Sequence, residues 1–213
     1  GEWEVGGVED ARITPDGDEF LVTYAAVSVV PGPIYEELNF FPRSKADPYT
    51  DRPGIPPFGP SYTGLLRTKD FRDFRFDGLI TPEGIDDRDG VLFPEKINGK
   101  YALLHRPTSW LGPEYGTDQA SIFLAFSEDL KTWDYGTGGD YLLMKPQAGR
   151  AWEEAKIGGG PPPIRTDAGW LMIYHGVDRR HIYRVGAALL DLNDPRKVLG
   201  RTQDFLMEPE MEW

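Results

Sequence analysis

The sequence has 213 residues, 39% of them hydrophobic and 13% aromatic, which is a globular rather than a disordered composition. A formal net charge of -12 argues against a nucleic-acid partner, and the absence of cysteine excludes disulfides and thiolate metal sites. No apolar run approaches the roughly 18 residues of a membrane span, and no signal peptide is visible. We therefore expect a cytoplasmic protein without membrane or nucleic-acid partners.

Strand-like runs recur along the chain, each after a turn that contains Gly or Asp. They are rich in β-branched and aromatic residues and start at Gly17 (GDEFLVTYAAVSV), Gly99 (GKYALLHRPTSW) and Ala168 (AGWLMIYHGVD). A second element follows each run, from Leu65, Phe123 and Ala188. A period of about 60 residues with about four short strands per unit predicts β-propeller blades, at roughly 7–80, 91–137 and 157–202. A β-sandwich is the alternative.

An acidic residue recurs at the same phase of each unit. Asp70, Asp129 and Asp194 are each predicted to lie in a turn between two strands. There the side chain can accept hydrogen bonds from nearby backbone N–H groups. A sandwich would not predict the return of this turn chemistry, which favours the propeller.

Two stretches depart from the strand pattern. Residues 27–62 are rich in Pro, Gly and aromatic residues and are predicted to form a long inserted loop, with a functional or a purely surface role. Residues 148–155 (AGRAWEEA) are the best candidate for a short helix.

Each unit is expected to open with an inner strand beside the propeller axis. The three segments, 7–14, 91–99 and 156–166, carry charged residues or glycines where a core strand would carry Val and Ile. If the site cleaves a glycosidic bond, Glu9 or Asp10 could supply the proton, and only one of these adjacent residues can face the axis. Asp10 and Arg12 would share a strand face and could hold a sugar hydroxyl, whereas Glu9 would point to the other face. The alternative is that these charges form structural ion pairs.

A basic set could bind an anion. His105, Arg106, Lys156 and His175, followed by Tyr183, offer the donors that suit a phosphate. A core histidine is an equally good interpretation of His175 alone. Trp110, Tyr115, Trp152 and Tyr174 could stack on sugar rings, whereas Trp170 is expected to pack in the core. No metal-ligand spacing is present.

Four segments in chain order, GVEDARIT, LFPEKINGKYALLHRP, WEEAKIGGGPPPIRTDAGWLMIYHGVD and YRVGAALLDLNDP, closely resemble glycoside hydrolase family 130. This family contains β-mannoside phosphorylases and β-mannosidases and has a five-bladed β-propeller fold. The resemblance implies one all-β domain over residues 1–213, truncated to about three to four blades.

The resemblance also implies inverting phosphorolysis of β-1,4- or β-1,2-linked manno-oligosaccharides, or of mannosyl-glucose, to give α-mannose 1-phosphate. Asp10 would supply the proton through a sugar hydroxyl. Phosphate, a co-substrate rather than a cofactor, would bind Arg106, Lys156, His175 and Tyr183. The residues expected to contact the sugar are Glu9, Arg12, His105, Glu95 and Lys96. We expect no metal.

Three alternatives stay open. A hydrolase of the same family would need a second carboxylate as base, with Glu95, Glu153 and Glu154 as candidates. A non-catalytic glycan-binding propeller would keep the site without turnover. An open propeller fragment would expose strand edges that promote association. The oligomeric state is also left open, a homo-oligomer included.

Overall fold

The computed structural model describes Glu4, residues 7–27 and residues 61–210, and in this part the chain is all-β with very little helix. The strands form three antiparallel sheets that follow one another along the chain. In each sheet, four strands pair in chain order or nearly so, as in a meander. Within the described ranges, no helix is long and apolar enough to cross a membrane.

The first sheet has the order β1-β2-β3-β4. Its strands are β1 (Gly7–Asp16), β2 (Glu19–Val27), β3 (Ser61–Thr68) and β4 (Arg75–Leu79). Val27 pairs with Ser61, so the β2–β3 hairpin is regular up to these two residues. The end residues of the predicted loop 27–62 therefore belong to the strands β2 and β3. Residues 28–60 between them lie outside the described residues.

The second sheet has the order β5-β6-β7-β8, with β9 paired to β7. Its strands are β5 (Asp87–Leu92), β6 (Tyr101–Pro107), β7 (Ile122–Ser127), β8 (Trp133–Asp134) and β9 (Leu142–Met144). The prediction placed the inner segment at 91–99, and this is wrong. The strand begins at Asp87, because the acidic run before Val91 pairs with the end of β6 instead of forming a turn.

The third sheet has the order β10-β12-β13-β14, with β11 paired to β12. Its strands are β10 (Lys156–Gly159), β11 (Ile164–Thr166), β12 (Gly169–Val177), β13 (Tyr183–Leu190) and β14 (Val198–Arg201). A 3-10 helix, Ala151–Glu153, precedes β10, so the predicted short helix is confirmed as a single turn.

The three predicted turn acids lie between strands and accept backbone hydrogen bonds, although the third accepts fewer than the other two. Asp70 Oδ1 accepts hydrogen bonds from the backbone N–H groups two and three residues on, at 2.9 and 3.1 Å, and Asp129 Oδ1 does the same at 2.9 and 2.8 Å. In the third sheet Asp191 Oδ1 accepts the two equivalent bonds, both at 2.9 Å, and Asp194 Oδ1 accepts one, from the backbone N–H of Arg196 at 3.4 Å. Asp194 also forms an ion pair with the Arg196 side chain.

The core lies between successive sheets. One apolar cluster joins the first sheet to the second, through residues such as Leu21, Leu65 and Leu103. A larger cluster joins the second sheet to the third and includes Leu124 and Trp170. Burial of these faces stabilises the fold by about 25 cal/mol per Å² of apolar surface removed from water. Each sheet is thus held face to face against the next one along the chain.

Candidate active site

The first strands of the sheets lie close together, and two of them carry an aspartate at a β-bulge. In β1 and in β5 the pairing register with the next strand shifts once. Asp10 and Asp89 occupy these irregularities, with φ angles of 55° and 57°. Such left-handed conformations cost a non-glycine residue about 1–2 kcal/mol, so the surrounding contacts must hold them.

Arg12 connects the Asp10 bulge to the third sheet. Its Nη1 donates to the carbonyl oxygen of Asp10, and its Nε donates to the carbonyl oxygen of Gly160, both at 2.8 Å. Nη2 lies 3.4 Å from the carbonyl oxygen of Gly159 and 3.7 Å from Oδ1 of Asp89. The Asp10 side chain remains 59% exposed, with its Oδ2 3.9 Å from Arg12. Asp10 and Arg12 thus lie close together, at a bulge and not on a regular strand, and the ion-pair alternative accounts for this contact.

Arg106 and Asp89 form a buried ion pair at the centre of this region. Nε of Arg106 donates to Oδ2 of Asp89 at 2.5 Å. Burial acts to raise the pKa of the Asp89 carboxyl, but the charge and hydrogen bond of Arg106 and the charge of Arg12 outweigh it, and the pKa is lowered. Among the described residues, Nη1 and Nη2 of Arg106 have no hydrogen-bond partner, so both remain available to an anionic ligand.

His175, Lys156 and Tyr183 lie together beside this pair. The His175 ring is 5.3 Å from the Tyr183 ring, and Nζ of Lys156 is 5.2 Å from the centre of the same tyrosine ring. Burial lowers the pKa of His175 to about 4, so the imidazole is neutral at pH 7. Its Nε2 lies 3.7 Å from Asp89 and is buried without a hydrogen-bond partner in the part of the chain described.

The glycine run after Lys156 makes room for these side chains. A Cβ atom on Gly158 would lie 2.0 Å from Oδ2 of Asp89 and 2.7 Å from the His175 ring. No side chain fits there without displacing one of them. The site therefore depends on glycine at this position for space, because the φ angle of Gly158 is not in the left-handed region.

His105 does not join Arg106 in the cluster. Consecutive residues of a strand point to opposite faces, and here Arg106 points towards Asp89 while Nδ1 of His105 is 2.7 Å from Asp87. The His105 ring packs against Trp110 and Tyr135 and is only 1% exposed. The structure therefore places His105 in the interior, away from the region expected to contact sugar.

Two other predicted sugar contacts, Glu95 and Lys96, lie apart from the cluster, whereas Glu9 directly precedes Asp10. Glu95 and Lys96 follow the far end of β5, where Glu95 is 3.3 Å from Arg165 and Nζ of Lys96 is 4.2 Å from the centre of the Tyr101 ring. Glu9 is exposed in the bulged strand, and no ion pair links it to another described residue.

The aromatic candidates divide between the surface and the core. Trp110 and Tyr115 stack on each other with ring centres 5.4 Å apart and both are partly exposed. Trp170 is 2% exposed, which confirms the prediction that it packs in the core, and Trp152 and Tyr174 are also buried.

Asp89 is the residue of this site that the sequence analysis missed. The signal was present in the repetition of an acidic residue followed by a small one, Asp10–Ala11 and Asp89–Gly90, near the start of two successive units. The described residues contain no cluster of three or more His, Asp and Glu side chains arranged to hold a metal ion.

Comparison with known proteins gives a consistent assignment. Residues 64–213 match a model of glycoside hydrolase family 130, described as beta-1,4-mannooligosaccharide phosphorylase. The chain is 41% identical over 149 residues to a 1,2-beta-oligomannan phosphorylase from Thermoanaerobacter sp. (strain X514). The aligned region covers 70% of this chain and 44% of that protein.

A relative from Listeria innocua matches the whole chain. It is a beta-1,2-mannobiose phosphorylase, 35% identical over 213 residues, which is 100% of this chain and 48% of that protein. Its structure with beta-1,2-mannobiose superposes with a TM-score of 0.74 over 98% of this chain and 48% of that one. The chain thus spans about half the length of the curated relatives that it matches.

Proposed function

Because this chain belongs to glycoside hydrolase family 130, we propose that it is part of an enzyme that cleaves β-mannosides with inorganic phosphate. The reaction would invert the anomeric configuration and release α-mannose 1-phosphate. The observation that carries this proposal is the exposed carboxyl of Asp10 beside a cluster in which Arg106 and Lys156 have donors free for an anion.

Asp10 is the proposed proton donor. A proton passes from its carboxyl group to a sugar hydroxyl, and from that hydroxyl to the glycosidic oxygen, which leaves with the electrons of the broken bond. The exposure of the side chain supports this role, because a sugar can approach the carboxyl directly. The two backbone-directed hydrogen bonds of Arg12 support it as well, since they hold the bulge in place.

Phosphate is the proposed nucleophile, and one of its oxygens forms the new bond to the anomeric carbon. Arg106 offers two terminal nitrogens, Lys156 a second positive charge, and Tyr183 a hydroxyl. A neutral His175 can donate or accept through Nε2 without adding charge. In a chain of net charge -12, such a local concentration of cationic donors favours an anionic co-substrate.

A hydrolase would need a carboxylate that activates water opposite Asp10. Glu153 is fully buried and bound to Arg201 and Tyr174, and Glu95 lies beyond the far end of β5. Glu154 pairs with Arg179 at 3.2 Å. These placements favour phosphate over water as the nucleophile.

The proposed substrates are β-1,2- or β-1,4-linked manno-oligosaccharides, with mannosyl-glucose as a third candidate. The names of the relatives support this class, because they include 1,2-beta-oligomannan, beta-1,2-mannobiose and beta-1,4-mannooligosaccharide phosphorylases. We further propose that the three sheets are successive blades of one five-bladed propeller domain. A cytoplasmic location, compatible with the absence of cysteine, is part of the same proposal.

The test is to incubate the protein with β-1,2- and β-1,4-mannobiose and with mannosyl-glucose, each with and without phosphate. We expect α-mannose 1-phosphate to form only when phosphate is present, detected by ³¹P NMR. Free mannose released at the same rate without phosphate would contradict phosphorolysis and support the hydrolase.

Replacement of the proton donor separates an enzyme from a binding module. Asp10→Asn should lower turnover by about 10²–10⁴-fold, the usual contribution of a general acid, and leave mannoside binding within a few fold. Mannoside binding without turnover by the unaltered protein would instead support the glycan-binding alternative. A concentration-dependent size in solution would support association of an open fragment.

A further inference from the structure

Arg12 was expected to contact the substrate, but its surroundings favour another role. All three nitrogens of its guanidinium group are directed at protein oxygens, two at 2.8 Å and the third at 3.4 Å or more. The side chain is only 12% exposed. A sugar hydroxyl would therefore have to compete with hydrogen bonds that the folded chain already makes.

The partners of Arg12 come from all three sheets. Within the first sheet it binds the carbonyl oxygen of Asp10, and from the second sheet Asp89 faces it at 3.7 Å. From the third sheet, the carbonyl oxygens of Gly159 and Gly160 accept from Nη2 and Nε. Arg12 is thus the contact through which the Asp10 bulge is fastened to the strands that carry the proposed phosphate ligands.

The hydrogen bond from Arg12 is made to a residue with an unfavourable backbone conformation, Asp10. Asp10 has a φ angle of 55°, which a non-glycine residue adopts only when its surroundings hold it there. The Nη1 hydrogen bond is made to the carbonyl oxygen of this same residue. Without it, the bulge could relax, and the carboxyl group would move relative to Arg106 and Lys156.

We propose that Arg12 is a positioning residue that holds the backbone of Asp10 in its left-handed conformation and aligns the carboxyl with the phosphate site. This inference rests on the proposed function, since it takes Asp10 as the proton donor. Because its guanidinium nitrogens are directed at protein oxygens, we assign Arg12 no contact with phosphate or with the reacting atoms. Its loss should therefore slow proton transfer while leaving the affinity for phosphate nearly unchanged.

The test compares Arg12→Ala and Arg12→Lys with Arg67→Ala. Arg67 is a matched control, because it is also a partly buried arginine of the first sheet. In the part of the chain that the structure describes, it forms ion pairs with Asp16, Glu19 and Asp77 and none with a residue of the proposed site. Three quantities are measured for each variant: kcat for the mannoside, the Kd for phosphate by calorimetry, and the unfolding midpoint. The kcat is measured with phosphate or with water as the nucleophile, according to which one the unaltered protein uses. The midpoint establishes that each variant folds.

We expect kcat to fall about 100-fold in both Arg12 variants, the loss typical of a displacement of about 1 Å at a reacting group. The phosphate Kd should stay within about threefold in both, and Arg67→Ala should keep its kcat. A kcat within about threefold of the unaltered protein in Arg12→Ala would overturn the inference. So would a parallel loss of phosphate affinity in both Arg12 variants.

Failure of phosphorolysis and failure of the positioning role of Arg12 would give different results. An unaltered protein that turns over mannosides with water alone would refute phosphorolysis, yet the kcat ratio of the Arg12 variants would still test the positioning of Asp10. An unaltered protein without turnover would refute the catalytic role of Asp10 and the positioning role of Arg12 together.

Discussion

Replacing Asp89 by asparagine should destabilise the protein markedly although the two side chains have nearly the same shape. Asp89 is 4% exposed, and Arg106, which it binds at 2.5 Å, is 5% exposed. The substitution leaves the buried guanidinium without its counter-charge. Breaking a buried pair from one side costs about 3–5 kcal/mol, and because asparagine keeps one acceptor oxygen we expect about 3 kcal/mol.

The assay is urea unfolding in phosphate-free buffer, carried through a double-mutant cycle. Arg106→Met removes the charge that Asp89→Asn leaves unpaired. The double variant should therefore be more stable than the sum of the single effects predicts, by about 2 kcal/mol or more. Phosphate should restore more stability to Asp89→Asn than to the unaltered protein, because it supplies the missing negative charge beside Arg106.

Asp77→Asn is the matched control for this prediction. Asp77 also pairs with two arginines, Arg67 and Arg75, but it lies in the outer strand β4 and is more exposed. We expect a loss of about 1 kcal/mol there, as for pairs near solvent. Additive effects of Asp89→Asn and Arg106→Met, or equal losses at Asp89 and Asp77, would refute the view that a buried charge pair organises the site.

Two further predictions concern the neighbours of Asp89. Gly158→Ala should lower the free energy of unfolding by about 1–3 kcal/mol and weaken phosphate binding, because its Cβ would lie 2.0 Å from Asp89 and 2.7 Å from His175. Gly200→Ala is the control, because there is open space around the new atom. Equal losses of stability and of phosphate affinity in the two variants would contradict the steric explanation. For His175, burial lowers the pKa from 6.5 to about 4, so the unfolded chain binds a proton that the folded chain does not between these values. Stability should fall by about 3 kcal/mol as the pH drops from 7 to 4. His175→Gln should lose that part of the slope in chemical denaturation at several pH values, and an unchanged slope would show that His175 does not titrate in this way.

The sequence by itself determined much of the arrangement of strands and several local contacts. The repeated strand-like runs predicted three sheets because alternation, turn residues and β-branched side chains are local properties of the chain. Asp70 and Asp129 were predicted in their turns for the same reason, since their partners lie two and three residues away. The proximity of Asp10 to Arg12 is local as well.

Two features that the sequence analysis did not place correctly follow from general rules of strand and turn structure. His105 and Arg106 are adjacent in β6, so both could not face the same site, and the structure directs His105 towards Asp87 and Arg106 towards Asp89. In the third sheet Asp191 accepts two backbone hydrogen bonds and Asp194 only one, because this pattern depends on where β13 ends and not on the spacing of acids alone.

The rest was decided only by the tertiary structure. The acidic run that ends in Asp89 resembles a turn in the sequence. It becomes a bulged strand because Arg106 of the neighbouring strand β6, Arg12 of the first sheet and the space above Gly158 of the third sheet accommodate the carboxylate. These partners are distant in the chain, and no local pattern specifies which cation will neutralise which buried carboxylate. Desolvation makes that pairing obligatory once the sheets have packed, and so the environment of Asp10 is fixed by contacts between sheets rather than by its own segment.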